Sequence, residues 1–449
     1  MNFSPNLDLV SVSVTPGETS AGSTATMSST SRCLVRLIGG LLATCAPLAL
    51  AAQHAYTSPR GWYTVKVPGG TVAGTPARTY LGIQLLPDAR YGGLVSGVSG
   101  KTLTLSNAGN PSQLADPERK CYLHVLDGNG QGFVTDIDEF RTSDIVCADE
   151  LGPWIQPNTR VLIRPHSNLS NLFGTNNRFG LGADTDAGAA DNVVIWDPAT
   201  QLEKVYYFHS TRARWEEKDI EADAGTASIR FPHGLYLVRR TSGTLRIALS
   251  GEIGSDSVLL PVHSGAHVFS LPVNLAGSLD QIVRTVGDFP VLSGPNANRA
   301  DILTFEEPTT GLQRGPFYHL ARPNDSGWRQ VGVDGSTAPI QPLDFLSTLI
   351  YRRNGNAGHV FAQGSLNPPA VPRPPLPPDP EPGELPLTAE FPLRQQFPSS
   401  VIYTVEVSTD LQTWSTHAIT SMTPDRRLIF DLPSGQRRAF YRLKISMDF

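Results

Sequence analysis

An all-β chain of several units is what this sequence predicts, and three observations carry that reading. Short β-branched or aromatic runs recur from Trp62 onward, each bounded by Gly, Pro, Asn or Asp: Tyr63-Thr-Val-Lys-Val67, Thr79-Tyr-Leu-Gly-Ile83, Thr102-Leu-Thr-Leu105, Val161-Leu-Ile163 and Asn192-Val-Val-Ile-Trp196. No window of helical periodicity extends beyond about two turns, which argues against an α/β enzyme fold. The 41 glycines and 37 prolines, set against only 17% charged residues, suit short strands joined by many turns. The expected architecture is therefore tandem β-barrel or sandwich-like modules with a proline-rich linker to a small C-terminal β-sandwich. At 449 residues the chain exceeds one ordinary hydrophobic core and calls for about three folded units.

The N-terminus reads as an export signal. Arg32 and Arg36 precede an apolar run from Leu37 to Leu50, and Ala49-Leu50-Ala51 supplies the small residues a signal peptidase accepts, so cleavage is expected near Ala51. Residues 1–52 are then a leader plus signal peptide, with Met27 as an alternative start. A lipid anchor at Cys45 is the rival reading, but Thr44 stands where a lipobox prefers Gly or Ala. The apolar run is shorter than the ~20 residues that span a bilayer, so no transmembrane helix is expected in the mature protein. The expected location is periplasmic, outer-surface or extracellular. Of the four cysteines, Cys33 and Cys45 leave with the signal. Cys121 and Cys147 remain, either as a disulfide or as two buried thiols. The net charge of -5 and the lack of Lys/Arg clusters beyond short pairs exclude a nucleic-acid partner.

The chain repeats itself. Ala190-Asp191-Asn-Val-Val-Ile-Trp reappears 110 residues later as Ala300-Asp301-Ile-Leu-Thr-Phe-Glu, and Pro198, Thr200 and Leu202 answer to Pro308, Thr310 and Leu312. At the same offset Tyr207-Phe208-His209 aligns with Phe317-Tyr318-His319 and Arg212 with Arg322. After a three-residue slip Trp215 aligns with Trp328, Arg239-Arg240 with Arg352-Arg353, and Gly251 with Gly364. Upstream, Val161-Leu-Ile-Arg-Pro165 is aligned with Val268-Phe-Ser-Leu-Pro272. These matches divide the body into a first β unit at 58–255, holding one copy at about 160–255 and N-terminal hairpins at 58–158, and a second unit at 260–366. Residues 367–386 are proline-rich and expected to be an extended spacer. Residues 387–449 return to strands and turns.

Two stretches carry a resemblance. Tyr403-Thr-Val-Glu-Val-Ser-Thr-Asp-Leu-Gln-Thr-Trp414, closing with Phe440-Tyr-Arg-Leu443, resembles the small sandwich-like module at the ends of many secreted verrucomicrobial and planctomycete proteins. The body, opening at Gly61-Trp-Tyr-Thr-Val-Lys-Val67 and containing the Asp191 to Arg240 pattern, is similar to an uncharacterised secreted verrucomicrobial protein family with a duplicated β module. The resemblance implies export and β architecture and brings no catalytic residues. Family members often end in a sorting tail, whereas this chain reads Met447-Asp-Phe449 there.

Few constellations carry chemistry. Asp127, Asn129, Gln131 and Asp138 sit at calcium-loop spacing with Gly132 at the sharp turn. Gln131 is a poor ligand there, and the flanks read as strands, so a Gly-rich hairpin turn is the simpler account. Asp191 and Asp301 are expected to cap a turn before a strand. Pro261 and Gly265 place His263 and His267 on a turn and argue against zinc. No nucleophile elbow, zinc-protease motif or phosphate loop occurs. No cofactor is therefore expected. The favoured role is a non-enzymatic secreted or cell-surface structural or binding protein, with an envelope or extracellular polysaccharide as the partner class. A secreted polysaccharide hydrolase using loop carboxylates is the alternative.

Overall fold

The computed structural model describes residues 54–362 and 388–447, apart from 57–58, 71–74, 198, 255, 272–278, 280–290, 308–309, 334–346, 393–400, 410, 412, 420, 423–426 and 432–437. The expected signal segment and the proline-rich stretch lie outside the described residues. Gly364, Pro198 and Pro308 do too. What is described is all-β, with several sheets and one closed barrel.

Alternating burial builds the first sheet. In Arg60–Val67, Tyr63, Val65 and Val67 are fully buried while Lys66 is exposed, the period of two that a strand with one covered face requires. This strand pairs on one side with Leu245–Ile253, from Val67↔Leu245 to Arg60↔Glu252. On its other side lies Arg438–Met447, from Arg60↔Tyr441 to Tyr63↔Arg438. Val401–Ser408 and Ser415–His417 extend the sheet, and His54–Tyr56 pairs with the far half of Arg438–Met447. The C-terminal residues do form a small sandwich, with Val405 and Val407 packed with Leu428 and Phe430, but it is not detached, because its longest strand is an inner strand of the body's own sheet. Trp62 packs with Val405, Val407 and Phe430, while Phe440 enters the core with Tyr63 and Val65. Gly61 makes the approach possible. A Cβ there would overlap the Phe440 ring and stand 2.9 Å from the Ala439 carbonyl oxygen.

Six strands, Tyr91–Ser99, Thr102–Leu105, Cys121–Val125, Val134–Phe140, Ile145–Cys147 and Arg160–Pro165, close into a barrel. Val95, Leu103, Leu123, Val125, Ile145, Val161 and Ile163, all fully buried, fill it. In so small a barrel the inward-facing side chains fill the interior. The hairpins read as part of the first unit therefore own a separate core. The barrel is inserted between Leu85–Leu86 and Ser167–Asn168, and buried Arg164 fastens it, donating to Glu252 Oε1 at 2.6 Å and to the Pro87 carbonyl at 2.7 Å.

Two further sheets share one strand order. In the first, Arg214–Glu217, Leu202–His209, Asn192–Asp197, Leu235–Arg239 and Ala77–Leu81 lie side by side. In the second the order is Asp325–Gln330, Leu312–Arg322, Ile302–Glu307, Thr348–Arg353 and Gly265–Ser270. Ala77–Leu81, not Arg160–Pro165, therefore occupies the place of Gly265–Ser270, and the aligned 161–165 segment belongs to the barrel. The alignment is corrected twice more. Asn192 pairs with Val238 and Ile302 with Arg352, so Arg353 stands where Arg239 stands. Phe208 faces Trp215 while His319 faces Trp328, so His209 and His319 are one residue out of step. The cause is a bulge in Leu312–Arg322, where the three steps from Arg314 to Phe317 face the two from Phe305 to Leu303 and so add a residue to the pairing.

The sheets meet along Ala77–Leu81, an edge strand whose outward amides need acceptors. Tyr80 N–H donates to Glu306 Oε1 at 3.1 Å, Gly82 N–H to Thr348 Oγ1 at 2.7 Å and Ile83 N–H to Ser270 Oγ at 2.6 Å. Side chains of the second sheet thus close the edge of the first. Among the described residues no helix is long and apolar enough to cross a membrane.

Candidate functional site

The residues singled out by spacing do not converge. Cys121 and Cys147 are both buried free thiols. Strand Val134–Phe140 lies between their strands, pairing Tyr122 with Asp136 and Cys147 with Ile137. Two interstrand spacings make about 9–10 Å, beyond the roughly 7 Å limit of Cα separation for a disulfide. The candidate disulfide does not form. Burial pushes the Cys147 thiol up to about 12 and raises that of Cys121.

The calcium spacing dissolves for a similar reason. Asp127 Oδ1 accepts from Arg160 N–H at 2.8 Å, Asn129 and Gln131 are exposed in the hairpin turn, and Asp138 is an exposed residue of Val134–Phe140. Four residues along a strand carry Asp138 roughly 13 Å beyond the start of that strand. The twelve residues do not wrap one point, and the described residues hold no cluster of three or more His, Cys, Asp or Glu fit for a metal.

Buried polar pairs elsewhere serve the frame. Asp191, fully covered, accepts from Gly182 N–H at 2.7 Å, Arg240 N–H at 2.6 Å and Thr241 Oγ1 at 2.8 Å, and pairs with Arg239 Nε at 2.7 Å. Burial opposes ionisation, but the Gly182, Arg240 and Thr241 donors hold its carboxyl below the ordinary value. Asp301 repeats the arrangement with Leu292 N–H at 2.8 Å, Asn354 N–H at 2.9 Å and Arg353 Nη1 at 2.7 Å. Each carboxylate ties the loop before its strand to the end of the neighbouring strand, as expected of turn caps. His166 bonds Asp136 Oδ1 through Nε2 at 2.9 Å, while its Nδ1 accepts from Phe231 N–H at 3.0 Å. With both nitrogens spent within the fold, this His–Asp pair has no nitrogen left for a substrate proton.

A polar cleft of about 590 Å³ opens where the chain leaves the body for the barrel and returns. Arg60 reaches it from the start of strand Arg60–Val67, and Asp88 and Arg90 from the crossing segment after Leu85–Leu86. Gln113 belongs to the short 3-10 helix Pro111–Leu114, where Asn110 Oδ1 caps Ser112 N–H at 3.0 Å. Arg119 follows that turn. Asn171 lies exposed on the one-turn helix Leu169–Phe173, capped by Asn168 Oδ1 at 2.8 Å from its backbone N–H.

The arginines are held rather than loose. Arg90 Nε donates to the Leu114 carbonyl at 2.7 Å and Nη2 to the Ala115 carbonyl at 3.0 Å. Arg119 Nη2 pairs with Asp116 Oδ2 at 2.7 Å, and Arg60 pairs with Asp88. The Asp116 side chain is only 6% exposed, against 33% for Arg90 and 24% for Arg119, so guanidinium and not carboxylate faces solvent there. Among the described residues Asp88 is the one carboxylate of the lining. None of these residues was legible as a site in the sequence, because they come from segments that only the barrel insertion brings together.

No family model matches the chain, and neither a curated protein nor a solved structure matches it.

Proposed function

We propose that this is an exported, non-enzymatic β scaffold that binds an extracellular or envelope saccharide in the cleft between barrel and body. The carrying observation is the lining itself: anchored guanidiniums and neutral polar groups around about 590 Å³, within the roughly 300–1,000 Å³ of ordinary ligand sites. Glycoside hydrolysis asks for two suitably spaced carboxylates. Among the described residues this lining offers Asp88 alone, already paired with Arg60, which favours binding over the hydrolase alternative. The common strand order of the two sheets and the matching Asp191 and Asp301 staples support descent from one duplicated β module. Export rests on the N-terminal sequence, in keeping with the resemblance to secreted verrucomicrobial proteins. Native electrophoresis through gels containing extracellular polysaccharides, with a parallel reducing-end assay, tests the reading. Retarded migration without new reducing ends is expected. Release of reducing ends would make it a hydrolase, and unretarded migration in every gel would remove the binding role.

A further inference from the structure

We infer that the cleft is selective for an acidic saccharide, one bearing carboxylates on a hydroxyl-rich chain. This rests on the reading of the cleft as the binding site and adds the ligand's charge. The first ground is the charge at the lining. Arg60, Arg90 and Arg119 outnumber Asp88 and Asp116, and Asp116 lies behind its arginines with a side chain only 6% exposed. The whole chain carries a net charge of -5, so this is a positive patch on an acidic protein. Asp88 is 44% exposed but paired with Arg60, so the excess positive charge lies at Arg90 and Arg119, and a cleft concentrates charge of the opposite sign.

Fixation of the guanidiniums is the second ground. The carbonyls of Leu114 and Ala115 hold Arg90, and Asp116 holds Arg119 through Nε at 3.1 Å and Nη2 at 2.7 Å. Their planes are set before a ligand arrives, so little side-chain entropy remains to be lost on binding. A planar guanidinium matches a carboxylate in shape and donor spacing.

Size and the remaining lining decide what carries the carboxylate. An inorganic anion would leave most of the cleft unfilled. Gln113, Ser167, Asn171 and Ser250 offer neutral donors and acceptors suited to hydroxyls, and Leu86 and Leu172 offer apolar surface to the C–H face of a sugar ring.

Isothermal titration of the full chain with trigalacturonate, with maltotriose and with sodium sulfate tests this. Trigalacturonate should bind at least tenfold more tightly than maltotriose, and raising the salt should weaken only the acidic ligand. Asn171→Asp, at an exposed position of the lining, adds a negative charge with little change of shape and should lower trigalacturonate affinity about tenfold, well beyond any loss for maltotriose, with the melting temperature unchanged. Equal binding of the two saccharides would overturn the charge selectivity and leave the cleft as a saccharide site. Sulfate matching trigalacturonate would make it a simple anion site and overturn the saccharide. Trigalacturonate failing to bind also overturns the inference, while gel retardation by other polysaccharides would keep the binding function.

Discussion

Asp191 and Arg239 form an ion pair at 2.7 Å with both side chains at least 95% covered, and the charge is kept there by the donors around the carboxylate. A buried ion pair is weak evidence of net stabilisation, but breaking one is costly because the remaining charge has lost its partner. Asp191→Ala should therefore destabilise the body by about 3–5 kcal/mol. Arg239→Ala should cost far more than Arg240→Ala, since Arg240 is exposed and its side chain bonds the neutral Ala190 carbonyl and Asn192 Oδ1. Thermal melts decide this. Equal effects of the two arginine replacements would show that burial does not rank them.

The C-terminal strand leads to a prediction about cleavage. Because Arg438–Met447 pairs with Arg60–Val67 and with Val401–Ser408, cutting the chain within residues 367–386 should nick the protein without separating its parts. The fragments should co-elute in native size exclusion. Gly61→Ala removes the space that Phe440 occupies and should let them part. Spontaneous separation of the nicked native chain would contradict the pairing.

Acid should loosen the seam between the two sheets. The rings of His267 and His233 each stack on Phe269, with centroids 5.2 Å and 5.3 Å from it. Burial lowers the His267 pKa to about 4, although its bond to His263 works the other way. Burial first, and then the charges of His267 and Arg230, lowers that of His233 to about 3. In the unfolded chain both lie near 6.5, so the unfolded state binds more protons below that value. Stability from these residues is complete above about pH 6.5 and falls as the pH drops toward 4, by up to about 1.4 kcal/mol per pH unit for each histidine. Glu306 works in the opposite direction, because burial raises its pKa. Chemical denaturation between pH 4 and 8 should show the decline, and His267→Gln should flatten it. An unchanged profile would argue that the ring does not titrate on unfolding.

The barrel thiols should be silent in the native state. Cys121 and Cys147 are about 1% exposed or less, and burial keeps both protonated at neutral pH. A thiol reagent should modify neither at pH 8 until denaturant is added, and then both should react. Oxidants that make a native 121–147 disulfide would refute the strand order between them.

Binary patterning was enough to read the strand class and many strand positions, because alternation and turn residues are local. Tyr63, Val65 and Val67 announce a covered face whatever they pack against. The correspondence of Asp191 with Asp301 was legible for the same reason, since the segments around them align without a gap. Identities after the bulge between Arg314 and Phe317 were not, because one inserted residue reverses which side chains face the core. Only the tertiary structure decided that the hairpins close into a barrel, that Cys121 and Cys147 stand two strands apart, and that Arg438–Met447 joins the sheet of Arg60–Val67. It also decided the cleft, whose Arg60, Arg90, Arg119 and Asn171 lie on four separate segments. Pairing and convergence between distant segments are set by non-local contacts, and no local period encodes which distant edge a strand will meet.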